Sequence, residues 1–294
     1  MDKLNHPFKI SLLLVICYFI SFAAVAQKVK EPQGISPEWS KPYAPFRIAG
    51  NIYYVGTYDL ACYLVTTPKG HILINTGLAA SGKMIKSSIA TLGFKFADVK
   101  ILLTTQAHYD HMGAMADIKK MTGASMMVDE KDAAVMEDGG SSDYALGGLG
   151  MTYKPLKADS LLHDGDTVKL DGMSLVLLEH PGHTKGSCSF LFDVKDEHRS
   201  YRVLIANLPS IVTDKKFSEV TAYPAIAKDY AYTLSAMKNL SFDIWLSSHA
   251  SQFGLHTKHH PGDAYNPAAF MERAGYDSAL KNLQARYDKK VANQ

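Results

Sequence analysis

Gln106-Ala107-His108-Tyr109-Asp110-His111 follows directly on the apolar run Val99-Lys100-Ile101-Leu102-Leu103-Thr104-Thr105. The run reads as a fully buried strand, so two imidazoles and a carboxylate leave its C-terminal mouth within four residues. Imidazole nitrogen and carboxylate oxygen are the donors that catalytic zinc prefers. Two more histidine groups stand in the same relation to a strand. His180-Pro181-Gly182-His183-Thr184 comes just after a predicted strand at 174–178, and His249 just after one at 243–247. Strand ends on one edge of a sheet can converge on a single point although they are far apart in sequence. The fold must therefore bring these strand ends to one edge.

The rest of the chain fits such a fold. Short strands are predicted at 52–55, 62–67 and 72–75, at the spacing of an antiparallel meander. Helical periodicity covers 81–92 and stops before Gly93. A helix over 112–121 ends near Gly123, followed by a strand at 126–128 and a short helix at 131–136. Residues 138–150 are rich in glycine and lack an apolar period; they form the longest loop after the proline-rich, irregular lead-in at 28–47. Long loops in compact domains are often functional. The second half repeats the grammar, with strands at 167–170, 187–192 and 202–206 beside the two already named, a helix at 229–240 and a terminal helix at 267–289. Strands then helices, twice over, predict an α/β (α+β) class with two sheets packed together and helices outside. One domain over 27–294 is a size a single domain reaches.

A net charge of +2 gives no case for a nucleic-acid partner. Lys3 and Lys9 precede the apolar stretch 10–26, which ends in Ala24-Val25-Ala26. A basic region, an apolar stretch and an A-x-A site read as a secretory signal peptide over 1–26. The expected compartment is the periplasm, with no membrane attachment after cleavage. Cys17 leaves with that segment. Cys62 and Cys188 sit in strand-like apolar contexts and read as buried free thiols.

Twelve histidines are present, and most need no ligand role. His256, His259 and His260 lie in a polar segment with Pro and Gly and read as loop residues. His71, His163 and His198 read as surface or turn residues. By contrast, His-x-Asp-His after a buried strand, followed by Gly-His-Thr, is a specific joint signal for a metal site. The 106–111 stretch resembles the H-x-H-x-D-H loop of the metallo-β-lactamase fold, with glutamine in place of the first histidine. Over essentially the whole mature length the chain resembles subclass B3 metallo-β-lactamases. More narrowly it is similar to the GOB-type enzymes, in which glutamine also holds the first motif position. Asn51-Ile52-Tyr53-Tyr54-Val55-Gly56, Ile74-Asn75-Thr76-Gly77 and His249-Ala250-Ser251-Gln252-Phe253 support the match. The Gly-His-Thr motif favours His183 over His180.

The resemblance implies a four-layer αβ/βα sandwich of two mixed sheets. It implies that Gln106, His108 and His183 hold one zinc and that Asp110, His111 and His249 hold another. It implies hydrolysis of the β-lactam amide of penicillins, cephalosporins and carbapenems by a zinc-activated hydroxide, with Asp110 orienting the water and His111 beside it. A monomer acting on small molecules is expected. A glutamine amide oxygen is a weaker donor for zinc than imidazole, so the Asp110/His111/His249 site is expected to be the tighter of the two. Ser210 and Tyr144 are the candidate substrate contacts, and Leu208 stands where typical relatives carry a serine near the metal.

Two other readings compete. A lactonase or glyoxalase II-like thioesterase of the same fold usually places an aspartate after the strand at 202–206, where this chain reads Ala206-Asn207-Leu208-Pro209-Ser210. A non-catalytic metal-binding relative would explain Gln106 as decay, but three good ligands and an open position survive.

Overall fold

The computed structural model describes residues 29–293. The signal-peptide segment lies outside the described residues. Within them, no helix is long and apolar enough to cross a membrane.

The chain begins with β1 (Phe46–Ala49), β2 (Ile52–Tyr54), β3 (Tyr63–Thr67) and β4 (Gly70–Ile74), the antiparallel meander expected from the spacing. β1 starts inside what the sequence suggested was irregular lead-in. Helix α1 (Gly82–Thr91) then leads to β5 (Val99–Leu103). The single turn α2 (Tyr109–Met112) and α3 (Met115–Thr122) precede β6 (Ser125–Asp129), α4 (Glu130–Glu137) and β7 (Ser160–Leu162). These seven strands form one sheet in sequence order, parallel from β4 onward. Gly123 ends α3 in the left-handed conformation, as helix C-termini favour.

The second sheet contains β8 (Thr167–Leu170), β9 (Met173–Glu179), β10 (Cys188–Lys195), β11 (Ser200–Ala206) and, after helix α5 (Ile226–Lys238), β12 (Ile244–Ser247). β11 and β12 are parallel and the rest antiparallel. The chain closes with α6 (Leu255–Lys258) and α7 (Arg273–Ala292). The terminal helix starts later than its periodicity suggested. A 3-10 turn at Pro267–Phe270 comes first, and Glu272 then caps α7 by accepting from the Gly275 N–H.

Period-two alternation assigns the faces. Tyr63, Val65, Ile72, Ile74, Ile101 and Leu103 face Leu175, Leu177, Phe190, Phe192, Val203 and Ile205 across the inter-sheet core. The alternate residues Leu64, Leu73, Leu102 and Met126 pack under Ile85, Ile89 and Ile118 of the outer helices. Both faces of the central strands are thus covered, which is why their sequences read as continuous apolar runs. Met237, Tyr276 and Leu280 of α5 and α7 pack against the second sheet. The result is an αβ/βα sandwich of two mixed sheets with helices outside. Register places Ile74 beside Leu103 and Leu103 beside Met127, and Ala206 beside Ser247, so the next residues of each strand emerge together along one edge.

Candidate metal centre

The strand ends are locked to each other before any ligand appears. Asn75 leaves β4 at φ +61°, a conformation asparagine tolerates better than most residues. Its Oδ1 accepts the Thr105 N–H at 3.0 Å and its Nδ2 donates to Thr105 Oγ1 at 3.2 Å. Thr105 Oγ1 and Ser248 Oγ are 2.9 Å apart. Asn207 Nδ2 donates to the Thr105 carbonyl at 3.0 Å, and Ser248 Oγ donates to Asn207 Oδ1 at 3.3 Å. Thr105 immediately precedes Gln106, and Ser248 immediately precedes His249. A buried polar network fully paired in this way is rigid, and it fixes the roots of two ligand-bearing segments from different sheets.

Above this floor five of the six sequence-derived ligand candidates gather in two groups; the sixth, Gln106, directly follows Thr105 of the floor. Asp110, His111 and His249 each place one donor atom within 4.8 Å of the other two. Asp110 Oδ2 is 3.2 Å from His111 Nε2 and 3.4 Å from His249 Nε2. His249 Nδ1 lies 3.3 Å from Asp59 Oδ2, which leaves Nε2 as the free donor. Asp59 also accepts from Trp39 Nε1 at 3.0 Å and the Ser251 N–H at 2.8 Å. Burial alone would depress the His249 imidazole, but Asp110 and Asp59 outweigh it and hold it up to about 9. Burial likewise works against the Asp110 carboxylate, yet its two histidine neighbours keep it well below the usual carboxylate range.

In the second group His108 Nδ1 and His183 Nε2 approach to 3.1 Å. His183 Nδ1 donates to the Ser210 carbonyl at 2.7 Å, so its Nε2 carries the lone pair. Asp143 Oδ2 stands 3.3 Å from His108 Nε2, an ion-pair distance without a completed hydrogen bond. It favours the tautomer with the lone pair on Nδ1. Burial, reinforced by His108, pushes the His183 imidazole down to about 3, toward the neutral form. Gln106 Oε1 and both His111 ring nitrogens are buried without a hydrogen-bond partner. Orphaned buried donors and acceptors are costly. Lone pairs facing each other across two short gaps call for a cation between them, and N/O donors of this kind suit zinc.

Other residues fall elsewhere. Ser210 lies behind His183, with Oγ 3.0 Å from its Nδ1. The Tyr144 hydroxyl is committed to the backbone, donating to the Gly182 and His183 carbonyls at 3.1 Å each. His180 turns away from the centre and pairs through Nδ1 with Ser189 Oγ at 2.6 Å. His256 donates to the Tyr58 carbonyl, and His259 stacks on Phe46, both away from the ligands. His71 corrects the surface expectation. It is buried on β4 with its ring edge against Phe94. Cys62 and Cys188 are free and buried, and burial pushes both thiols up. Sequence reasoning missed Asp59, Asp132 and Asp143. None has motif spacing to a histidine. Only the glycine-rich loop that carries Asp143 had been marked as a functional segment.

The family model described as "Metallo-beta-lactamase superfamily" matches residues 56–196. The class B3 di-zinc metallo-β-lactamase LRA-12 from an Alaskan soil metagenome is 68% identical, with a TM-score of 0.88, over 90% of this chain and 100% of that one. The chain belongs to the class B3 metallo-β-lactamases. Another class member by likeness, GOB-18 from Elizabethkingia meningoseptica, is 58% identical with a TM-score of 0.91, over 92% of this chain and 100% of that one. Curated relatives are more distant. The uncharacterized protein YobT of Bacillus subtilis is 29% identical over 146 residues, which cover 47% of this chain and 59% of YobT. Such a class B3 metallo-β-lactamase chain is a hydrolase by family. The GOB-type likeness read from Gln106 agrees with the GOB-18 match.

Proposed function

We propose that this protein hydrolyses the amide bond of β-lactams, with penicillins, cephalosporins and carbapenems as the substrate class and zinc as the cofactor. The observation that carries the reading is the convergence of Asp110, His111 and His249 on one point in a chain this similar to LRA-12. Asp110, His111 and His249 would hold one zinc; His108, His183 and Gln106 would hold the other. Zinc, when bound, supplies Lewis acidity and activates water at neutral pH.

The chain's own residues do the rest. Asp110 presents Oδ2 between two imidazoles and can accept a hydrogen bond from the attacking water, orienting it. Asp59 holds the His249 ring so that Nε2 faces inward. Ser210 accepts from His183 Nδ1 through its carbonyl, with its Oγ beside the same nitrogen, and the hydroxyl hydrogen can still be donated to the carboxylate that these substrates carry. Leu208 is buried in the inter-sheet core and keeps water from that side. Tyr144 acts through the His183 loop by holding its backbone. The carboxamide of Asn207 is occupied by Thr105 and Ser248, so the position where thioesterases of this fold usually carry an aspartate here serves the floor of the site. The working protein is read as one domain over 27–294, exported by its N-terminal segment to the periplasm and acting as a monomer.

The Asp110/His111/His249 group has three protein ligands, the composition of a catalytic zinc site with an open position. The Gln106 amide oxygen is the weaker donor in the other group, so the Asp110/His111/His249 group is expected to fill first. Imipenem hydrolysis by the purified mature protein tests the function, measured with chelator and after zinc add-back. Activity that vanishes with chelator and returns with zinc supports it. An absence of hydrolysis of any β-lactam in zinc-replete buffer, with turnover of a lactone or thioester, overturns it. Titrating zinc into the metal-free protein tests the order of filling. Rate appearing only with the second equivalent rules out the first-filled site working alone.

A further inference from the structure

Asp132 lies on α4, outside every motif, yet it is 1% exposed and its carboxylate is fully engaged. Oδ2 accepts the Ala107 N–H at 2.9 Å and the Thr184 hydroxyl at 2.7 Å. Oδ1 accepts the Gly186 N–H at 2.8 Å. Ala107 is the residue between Gln106 and His108, and Thr184 is the residue after His183. The Ala107 peptide is held on its other side as well. Tyr153, itself fully buried, donates its hydroxyl to the Ala107 carbonyl at 2.8 Å and to the Val135 carbonyl of α4 at 3.0 Å. Gly186 shows how closely the two loops are drawn in. A Cβ there would stand 2.6 Å from the Asp132 backbone nitrogen and 2.7 Å from Asp129 Oδ1.

We infer that Asp132 is the positioning residue of the Gln106/His108/His183 half of the centre, because its one carboxylate ties the peptide between Gln106 and His108 to the turn that carries His183. Nothing comparable links Asp132 to Asp110, His111 or His249. Those ligands are braced by Asp59 and by the Thr76 N–H, which donates to the His111 carbonyl at 2.8 Å. Above the shared floor of Asn75, Thr105, Asn207 and Ser248, the two halves therefore have separate supports. A charged acceptor facing three donors cannot be replaced by an amide of the same shape without setting N–H against N–H. Groups that orient metal ligands from behind typically change affinity by roughly ten- to a hundredfold.

This inference rests on the proposed two-group reading of the centre. The test is cobalt(II) titration of the metal-free mature protein, followed by the visible absorption of bound cobalt and by competition with a chromophoric chelator. His183→Ala should abolish one equivalent. If it leaves uptake unchanged, the two-group reading fails and takes this inference with it. If it does abolish one, Asp132→Asn should weaken that same equivalent by roughly ten- to a hundredfold and leave the other within about twofold, with the far-ultraviolet circular dichroism preserved. Thr184→Val removes one of the three donors and should weaken the same equivalent by less. Equal weakening of both equivalents by Asp132→Asn, or no change in either, overturns the inference. Should Asp132→Asn fail to fold, Thr184→Val decides, and unchanged affinity in that variant overturns it.

Discussion

At the residue scale, the ligands are set by what stands behind them. His249 is aimed by Asp59, which in turn collects Trp39 Nε1 and the Ser251 N–H. Asp59→Ala removes that acceptor and leaves the ring free to turn or change tautomer. It should lower zinc affinity of the Asp110/His111/His249 group and kcat/KM for imipenem by roughly ten- to a hundredfold, as read by metal competition and steady-state kinetics. Gly186 offers a second test. An alanine Cβ at that position would meet backbone and carboxylate atoms closer than 3 Å, so the His183 turn must shift. Gly186→Ala is expected to cost about 1–3 kcal/mol in urea denaturation and to raise KM as His183 moves. The six ligand candidates were legible from the histidine motifs together with the family resemblance, which supplied Gln106 and the preference for His183. Their supports were not, because an aspartate on a helix looks the same in sequence whether it faces water or three buried donors.

At the element scale, strands were easier to place than their limits. The apolar runs that became β3, β4 and β5 are buried on both faces, and such runs leave a strong mark in sequence. β1 and β7 left little mark. Phe46–Ala49 follows a proline-rich stretch, and Ser160–Leu162 is a three-residue edge strand with two exposed positions. Their pairing comes from neighbours rather than from propensity. The terminal helix shows the same limit, since the sequence period runs through the 3-10 turn at Pro267–Phe270 while the chain breaks at Glu272. The glycine-rich loop 138–150 proved to have a structural task, bringing Asp143 to His108. A long loop can carry a charge to a site that no neighbouring strand reaches.

At the scale of the whole molecule, buried titrating groups link stability to pH. His180 is fully buried away from the ligands, and burial, opposed by Asp164, pushes its imidazole down to about 4. The unfolded chain therefore binds the extra proton first as pH falls below about 6.5. Stability is complete above that value and is lost down to about pH 4, by roughly 3 kcal/mol from this group. Denaturation midpoints measured from pH 7 to pH 4 should fall in the native chain, and His180→Gln should flatten the curve. Metal removal acts on the whole fold too. A zinc held by these residues stabilises the folded state, so its removal should lower Tm with the logarithm of free zinc, together with loss of imipenem turnover. A Tm indifferent to chelator would contradict a metal held by these residues.

The sequence by itself determined the chemistry on offer: a strand mouth with His108, Asp110 and His111, a Gly-His-Thr turn, and a histidine after another apolar strand, along with the period-two runs that require two covered sheets. These are local properties of residue type and spacing. Only the tertiary structure decided which lone pairs meet. It put His108 Nδ1 3.1 Å from His183 Nε2 across 75 residues of chain, turned His180 away to Ser189, and recruited Asp59, Asp132 and Asp143. Those choices depend on register between strands and on which buried donors need an acceptor, and both arise only when distant segments pack.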